Sequence, residues 1–107
     1  MLLAERKSWA LDQSDVGAVL GASADAIGNY ERGYRSPALA LLLGLELLYG
    51  KPIAVLFPET LQAAATRIVD GAQELSIRIE GQADRAALRK QEFLRALGDR
   101  LVTLLGA

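Results

Sequence analysis

An all-α fold is what this 107-residue sequence predicts, and three observations carry that expectation. Leucine (20) and alanine (18) supply more than a third of the residues, whereas valine, isoleucine and threonine together supply 13. That is the usage of a helix former with little sheet. Residues 1–58 carry start and stop signals for five short helices, with glycine, proline or a capping side chain at the corners. Beyond Pro58 the apolar residues step by threes and fours, the period of an amphipathic helix.

Leu2, Leu3, Arg6 and Ala10 fall at helical spacing and open the chain with a first helix over 2–10, closed by Trp9 to Leu11. Asp12 is a strong N-cap with Asp15 at the capping-box position, so a second helix is expected over Gln13 to Leu20. Gly21 suits the left-handed backbone of a helix end, and Ser23 suits the cap of the next helix. Two short helices therefore meet at a tight corner. The third runs over about Ala24 to Arg32, burying Ile27 and Tyr30, with Gly33 as its stop. Ser36-Pro37 reads as the start of a fourth, because proline at the first helical position forfeits no hydrogen bond. Gly50 stops it at Tyr49, Pro52 opens a fifth over Ile53 to Phe57, and Pro58 closes the unit.

After Pro58, Leu61, Ala65, Ile68, Ala72, Leu75 and Ile79 line one face of a helix of about 20 residues. A second stripe carries Leu94, Leu97, Leu101 and Leu104, widened by Phe93, Val102 and Leu105. Between them Gly81 and Asp84 supply a turn residue and a cap, which favours an antiparallel hairpin; one long helix is the alternative. Two regions follow, residues 1–58 and residues 59–107, and the second is too small to bury a core alone.

Composition removes several kinds of chemistry. With no cysteine and no histidine, disulfides, thiolate catalysis, the usual zinc sites and imidazole acid–base work are excluded. Neither a phosphate loop nor a glycine fingerprint is present, and the carboxylates are scattered over helix surfaces, so no enzyme and no cofactor is expected. No small-molecule ligand is evident. The first seven residues lack the order of a signal peptide, and no apolar run reaches the 18 to 20 or so residues that cross a bilayer. A cytoplasmic chain without a membrane partner is the expectation. Net charge is −1, with five basic and six acidic side chains in residues 1–58. A case for nucleic acid must therefore rest on local arrangement.

Local arrangement supplies one. Leu11-Asp12-Gln13, Leu20-Gly21-Ala22-Ser23, the run Ile27-Gly28-Asn29-Tyr30-Glu31-Arg32-Gly33, Arg35-Ser36-Pro37 and Ala54-Val55-Leu56-Phe57 resemble the XRE class of helix-turn-helix regulators, the repressors of the phage Cro and cI type. The resemblance covers residues 2–58. It implies a five-helix lambda-repressor-like domain, followed here by the helical tail, and double-stranded DNA as the partner.

Such a domain puts the N-terminal turns of one helix into the major groove while the preceding helix aims its N-terminus at the backbone. In this sequence Ser23, Ala24, Asp25 and Asn29 fall at the positions that face bases. Asn29 suits adenine N6 and N7, Ala24 offers only a methyl, and Ser23 has a competing duty as cap. Asp25 departs from the usual polar or basic residue, since a carboxylate repels phosphate and accepts only from a donor such as cytosine N4. Gln13, heading the preceding helix, and the loop residues Arg32, Tyr34 and Arg35 are the phosphate contacts. Arg32 has an alternative in pairing with Glu31 or Glu46, and Gln13 in covering a helix end. Arg6 and Lys7 either add positive charge or merely solvate the first helix.

One reading helix touches few base pairs, so this class acts as pairs of subunits. The leucine stripes of the tail, Leu61, Ile68, Leu75, Leu94, Leu97, Leu101 and Leu104, exceed what a lone hairpin covers and predict a homodimer. The expected function is that of a sequence-specific transcriptional regulator, a repressor or autoregulator. The alternative is a protein-interaction module that kept the fold and lost DNA reading.

Overall fold

The structure is a computed structural model and describes residues 1–105. It is all-α, with seven helices and no strand among those residues. The chain divides into a unit spanning Met1–Pro58 and a second that starts at Glu59.

In the first unit α1 spans Leu2–Ser8, shorter than the predicted 2–10. Its end is a Schellman turn: Leu11 N–H donates to Arg6 O at 3.2 Å and Ala10 N–H to Lys7 O at 3.0 Å. Ala10 sits there at φ 57°, a conformation that glycine takes more easily. α2 (Gln13–Leu20) opens on the anticipated capping box, Asp15 N–H donating to Asp12 Oδ1 at 2.7 Å and Asp12 N–H to Asp15 Oδ2 at 2.9 Å. Gly21 ends it in the left-handed region. α3 (Ala24–Glu31) is capped by Ser23, whose hydroxyl accepts from Ala26 N–H at 3.0 Å.

One of the predicted corners falls elsewhere. α4 spans Leu39–Tyr49 with Ala38 as its uncapped N-terminus, so Ser36 does not cap it and Pro37 lies outside it. α5 (Ile53–Leu56) begins after Pro52, and its first amide, Ile53 N–H, donates to Glu46 Oε1 at 3.0 Å. Glu46 thus satisfies a helix N-terminus from the preceding helix. Pro58 closes the unit as expected and is at the same time the first residue of α6, the position where a missing N–H costs nothing.

The core of this unit joins Leu2 of α1, Leu45 and Tyr49 of α4 and Leu56 of α5, with Leu20, Tyr30, Leu48 and Phe57 packed against them. Val16 and Ile27 are buried as well. Tyr30, expected to be buried, is only half-buried.

The second unit is a helical hairpin. α6 (Pro58–Arg78) and α7 (Arg85–Leu105) are joined through Gly81 at φ 80°, and Asp84 Oδ1 accepts from Ala87 N–H at 2.8 Å. Val69, Ala72 and Ser76 face Leu94, Gly98 and Leu101 across an open groove of about 340 Å³, so the two helices run antiparallel. Only Ala65, Ile79 and Ala87 are fully buried among the described residues of this unit. Leu61, Leu75, Leu94, Leu97 and Leu101 are half-buried, while Ile68 and Leu104 are exposed. No helix among the described residues is long and apolar enough to cross a membrane.

Candidate nucleic-acid interface

The corner between α2 and α3 is held by a close approach that only glycine permits. A Cβ on Gly17 would lie 2.3 Å from the Ala22 carbonyl oxygen, far inside contact distance. Gly17 O in turn accepts from Ala22 N–H at 2.8 Å, which fixes the end of α2 against the start of the next segment. This role was not readable from spacing, because a glycine inside a helix carries no local mark of what presses on it.

Glu31, the last residue of α3, ties three elements together. Its carboxylate accepts two hydrogen bonds from Arg6 of α1, Nε to Oε2 at 2.7 Å and Nη2 to Oε1 at 3.1 Å. Gln13 Nε2, at the head of α2, donates to the same Oε1 at 3.2 Å. Arg6 completes the tie by donating from Nη1 to Leu11 O at 3.0 Å. The fork-on-fork geometry is the strong form of this pair, and both side chains are largely out of water. The bond to Glu31 raises the Arg6 guanidinium further above its ordinary value, against the pull of burial. For Glu31 burial is the largest influence and pushes the carboxyl up. The hydrogen bonds from Arg6 and Gln13, with the charges of Arg6 and Arg32, outweigh it and leave the carboxyl below 4.5. Burial also pushes the neighbouring Tyr49 hydroxyl up.

This arrangement corrects one sequence reading and gives Gln13 a partner within the fold. Arg6 is a buried structural cation and neither adds to a positive face nor solvates α1. Gln13 directs its carboxamide to Glu31 at the C-terminal end of α3. The 25-residue separation of Arg6 and Glu31 explains why spacing did not reveal the pair.

The outer surface is built differently. Asp25 is exposed on the first turn of α3 and Asn29 lies half-buried one turn on, with Ala24 half-buried beside them. The Ser23 hydroxyl is engaged as a cap. Arg32 pairs with neither Glu31 nor Glu46: its Nη2 donates to Asn29 Oδ1 at 3.1 Å, and its guanidinium lies 5.1 Å from the Tyr34 ring centroid. Tyr34 and Arg35 are exposed in the loop that follows. Their amides donate back to Asn29 O at 2.9 and 3.4 Å, which wraps the loop onto the end of α3. The structure therefore brings Asn29, Arg32 and Tyr34 into direct contact, holds Arg35 in the same loop, and leaves Gln13 bound to Glu31. Among the described residues no group of acidic side chains is arranged to hold a metal ion.

No protein-family model, curated protein or solved structure matches this chain.

Proposed function

We propose that the chain is a sequence-specific DNA-binding transcriptional regulator, a repressor or autoregulator that acts as a homodimer and works by occluding a promoter. The observation that carries this reading is the face of α3: Asp25 and Asn29 point outward from a short helix braced by α1 and α2, and the cationic loop Arg32-Gly33-Tyr34-Arg35 sits directly at its end. A braced short helix with base-reading groups and adjacent phosphate-binding groups is what the major groove accepts. The resemblance of residues 2–58 to the XRE class supports the same reading. The tail supports the pairing, since α6 and α7 leave most of their leucines half-buried or exposed and one hairpin does not cover them.

The test is a mobility-shift titration against the DNA upstream of the protein's own gene at two salt concentrations. Wild type should bind with a steep salt dependence, Arg35→Ala should lower both affinity and that slope, and Asn29→Ala should lower affinity with the slope unchanged. Absence of any binding at low salt removes the reading.

A second reading, the interaction module, has one observation of its own. Leu39, Leu43 and Leu47 lie at four-residue steps on α4, exposed at 69, 48 and 85%. A leucine ridge that its own unit leaves uncovered is a place for another protein. Loss of solution association on Leu47→Gln, with DNA binding absent throughout, selects this reading.

A further inference from the structure

The hairpin has two flanks, and their chemistry differs. The inward line of α6 runs through Ala65, Ala72 and Ile79, and that of α7 through Ala87, Leu94 and Leu101. Val69, Gln73 and Ser76 of α6 depart from this line to one side and line the groove, together with Gly98 and Val102 of α7. At about 100° per residue, Ile68, Gly71 and Leu75 of α6 and Phe93, Leu97 and Leu104 of α7 depart to the other side and share the opposite flank. There Ile68, Phe93 and Leu104 are exposed at 43, 52 and 48%. A Cβ on Gly71 would meet nothing within 4 Å, so the backbone of α6 is open to a close approach. The rim of this flank carries Arg67 and Glu74 on α6 and Glu92 and Arg100 on α7, all exposed. Among the described residues Arg67, Glu74 and Arg100 make no ion pair, and Glu92 meets only Arg89 of its own helix, at 2.5 Å on the surface.

We infer that a second copy of this chain covers this flank in antiparallel register, with the two-fold axis at Gly71, Arg67 facing Glu74 of the second copy and Glu92 facing its Arg100. The inference rests on the homodimer reading above and assigns the face and the register. On α6 the axis that exchanges Arg67 with Glu74 passes midway between them, beside Gly71; on α7 the axis that exchanges Glu92 with Arg100 passes through Ala96. Ser76 and Gln91 line one end of the hairpin, and Val69 and Ala72 line the groove with Leu94 and Gly98, which sets Gly71 and Ala96 at one level. A single axis therefore serves both ion pairs and brings the two Gly71 backbones together where no side chain obstructs. In the parallel arrangement Arg67 falls beside Arg100 and Glu74 beside Glu92, like against like. Exposed rim charges add little affinity and decide between such arrangements. At 1.5 Å per residue along α6, the antiparallel register holds the two Pro58 residues about 38 Å apart, close to the roughly 34–36 Å between half-sites one turn of DNA apart. Leu101 lies in the seam between the helices, so a charge there disturbs both flanks at once.

The experiment pairs crosslinking with sedimentation of the full-length protein. The chain has no cysteine, so Gly71→Cys introduces a single thiol. Two-fold mates at the axis come within the roughly 4.4–6.8 Å Cα separation that a disulfide spans, and a mild oxidant should convert Gly71→Cys to a covalent dimer. Ser76→Cys, on the groove flank, should stay uncrosslinked. Arg67→Glu should weaken dimerisation roughly tenfold, and adding Glu74→Arg should restore it to within about twofold. In a parallel pair the single reversal sets a carboxylate beside Arg100 and strengthens association instead. A wild-type dimer in which Ser76→Cys crosslinks as readily as Gly71→Cys, Arg67→Glu fails to weaken association, or the double reversal fails to restore it, overturns the inference and leaves the homodimer reading standing. Wild type that sediments as a monomer at every concentration removes the homodimer reading, and the inference falls with it.

Discussion

Arg6 and Glu31 are worth more as a pair than either is alone. Removing one partner strands a charge out of water, at a cost of about 3–5 kcal/mol, whereas apolar residues of similar shape in place of both are often neutral. Arg6→Met should therefore destabilise the fold by roughly 3 kcal/mol, and adding Glu31→Leu should recover most of that loss in urea denaturation. The pH dependence follows from the lowered Glu31 carboxyl. Its contribution is complete above 4.5, the ordinary value, and is lost as pH falls through the lower folded value. Urea midpoints measured from pH 6 to 3 should fall in wild type and fall less in Glu31→Gln. Ala10 gives a prediction of opposite sign: with φ at 57°, Ala10→Gly should stabilise by about 0.5–1 kcal/mol, and an unchanged or lowered midpoint counts against that strain. At this scale the sequence disclosed the side chains with short-range duties. The Asp12 and Ser23 caps are recognisable because partner and cap lie three residues apart. Arg6, Glu46 and Gln13 were misjudged or left open because their partners are 25, 7 and 18 residues away and only the packed chain brings them together.

Among the elements, those with chemical punctuation at both ends were legible to the residue: α2 between Asp12 and Gly21 matches its expected span. α4 was not: Ser36-Pro37 carries the local start signal, yet the helix begins at Leu39 with Ala38 as its uncapped N-terminus. The α2–α3 corner has a sharp test. Gly17→Ala drives a methyl into the Ala22 carbonyl and should cost on the order of 1–3 kcal/mol, while Ala18→Gly, on the exposed side of the same helix, should cost no more than about 1 kcal/mol. If both variants unfold at the same urea concentration, the close approach at Gly17 is not a packing constraint.

For the molecule as a whole, the all-α class and the tail hairpin could be read from periodicity and from Gly81 with Asp84. The groups on the outer face of α3 could be read as positions but not as a connected set. Exposure of the Asn29 carboxamide is decided by a contact from Arg32 that helix spacing permits and does not require. The tail predicts a concentration-dependent molecule. Full-length protein should sediment as a dimer at micromolar concentration, and Leu101→Glu, which sets a charge on the apolar groove, should leave a monomer. Sedimentation of wild type as a monomer at every concentration tested removes the tail from any pairing role. Thermal midpoints of wild type should rise with protein concentration, as they do when association stabilises the folded state.

The sparse interior of the hairpin has one more consequence. With two alanines and one isoleucine as its fully buried residues, α6 and α7 hold little that keeps them together in a solitary copy. In the proposed homodimer, folding of that half and encounter with a second copy become one event. At low abundance a frayed, protease-sensitive tail would be cleared first, and accumulation past the association threshold would rescue it. If the proposed autoregulation holds, such a chain would thereby measure its own abundance.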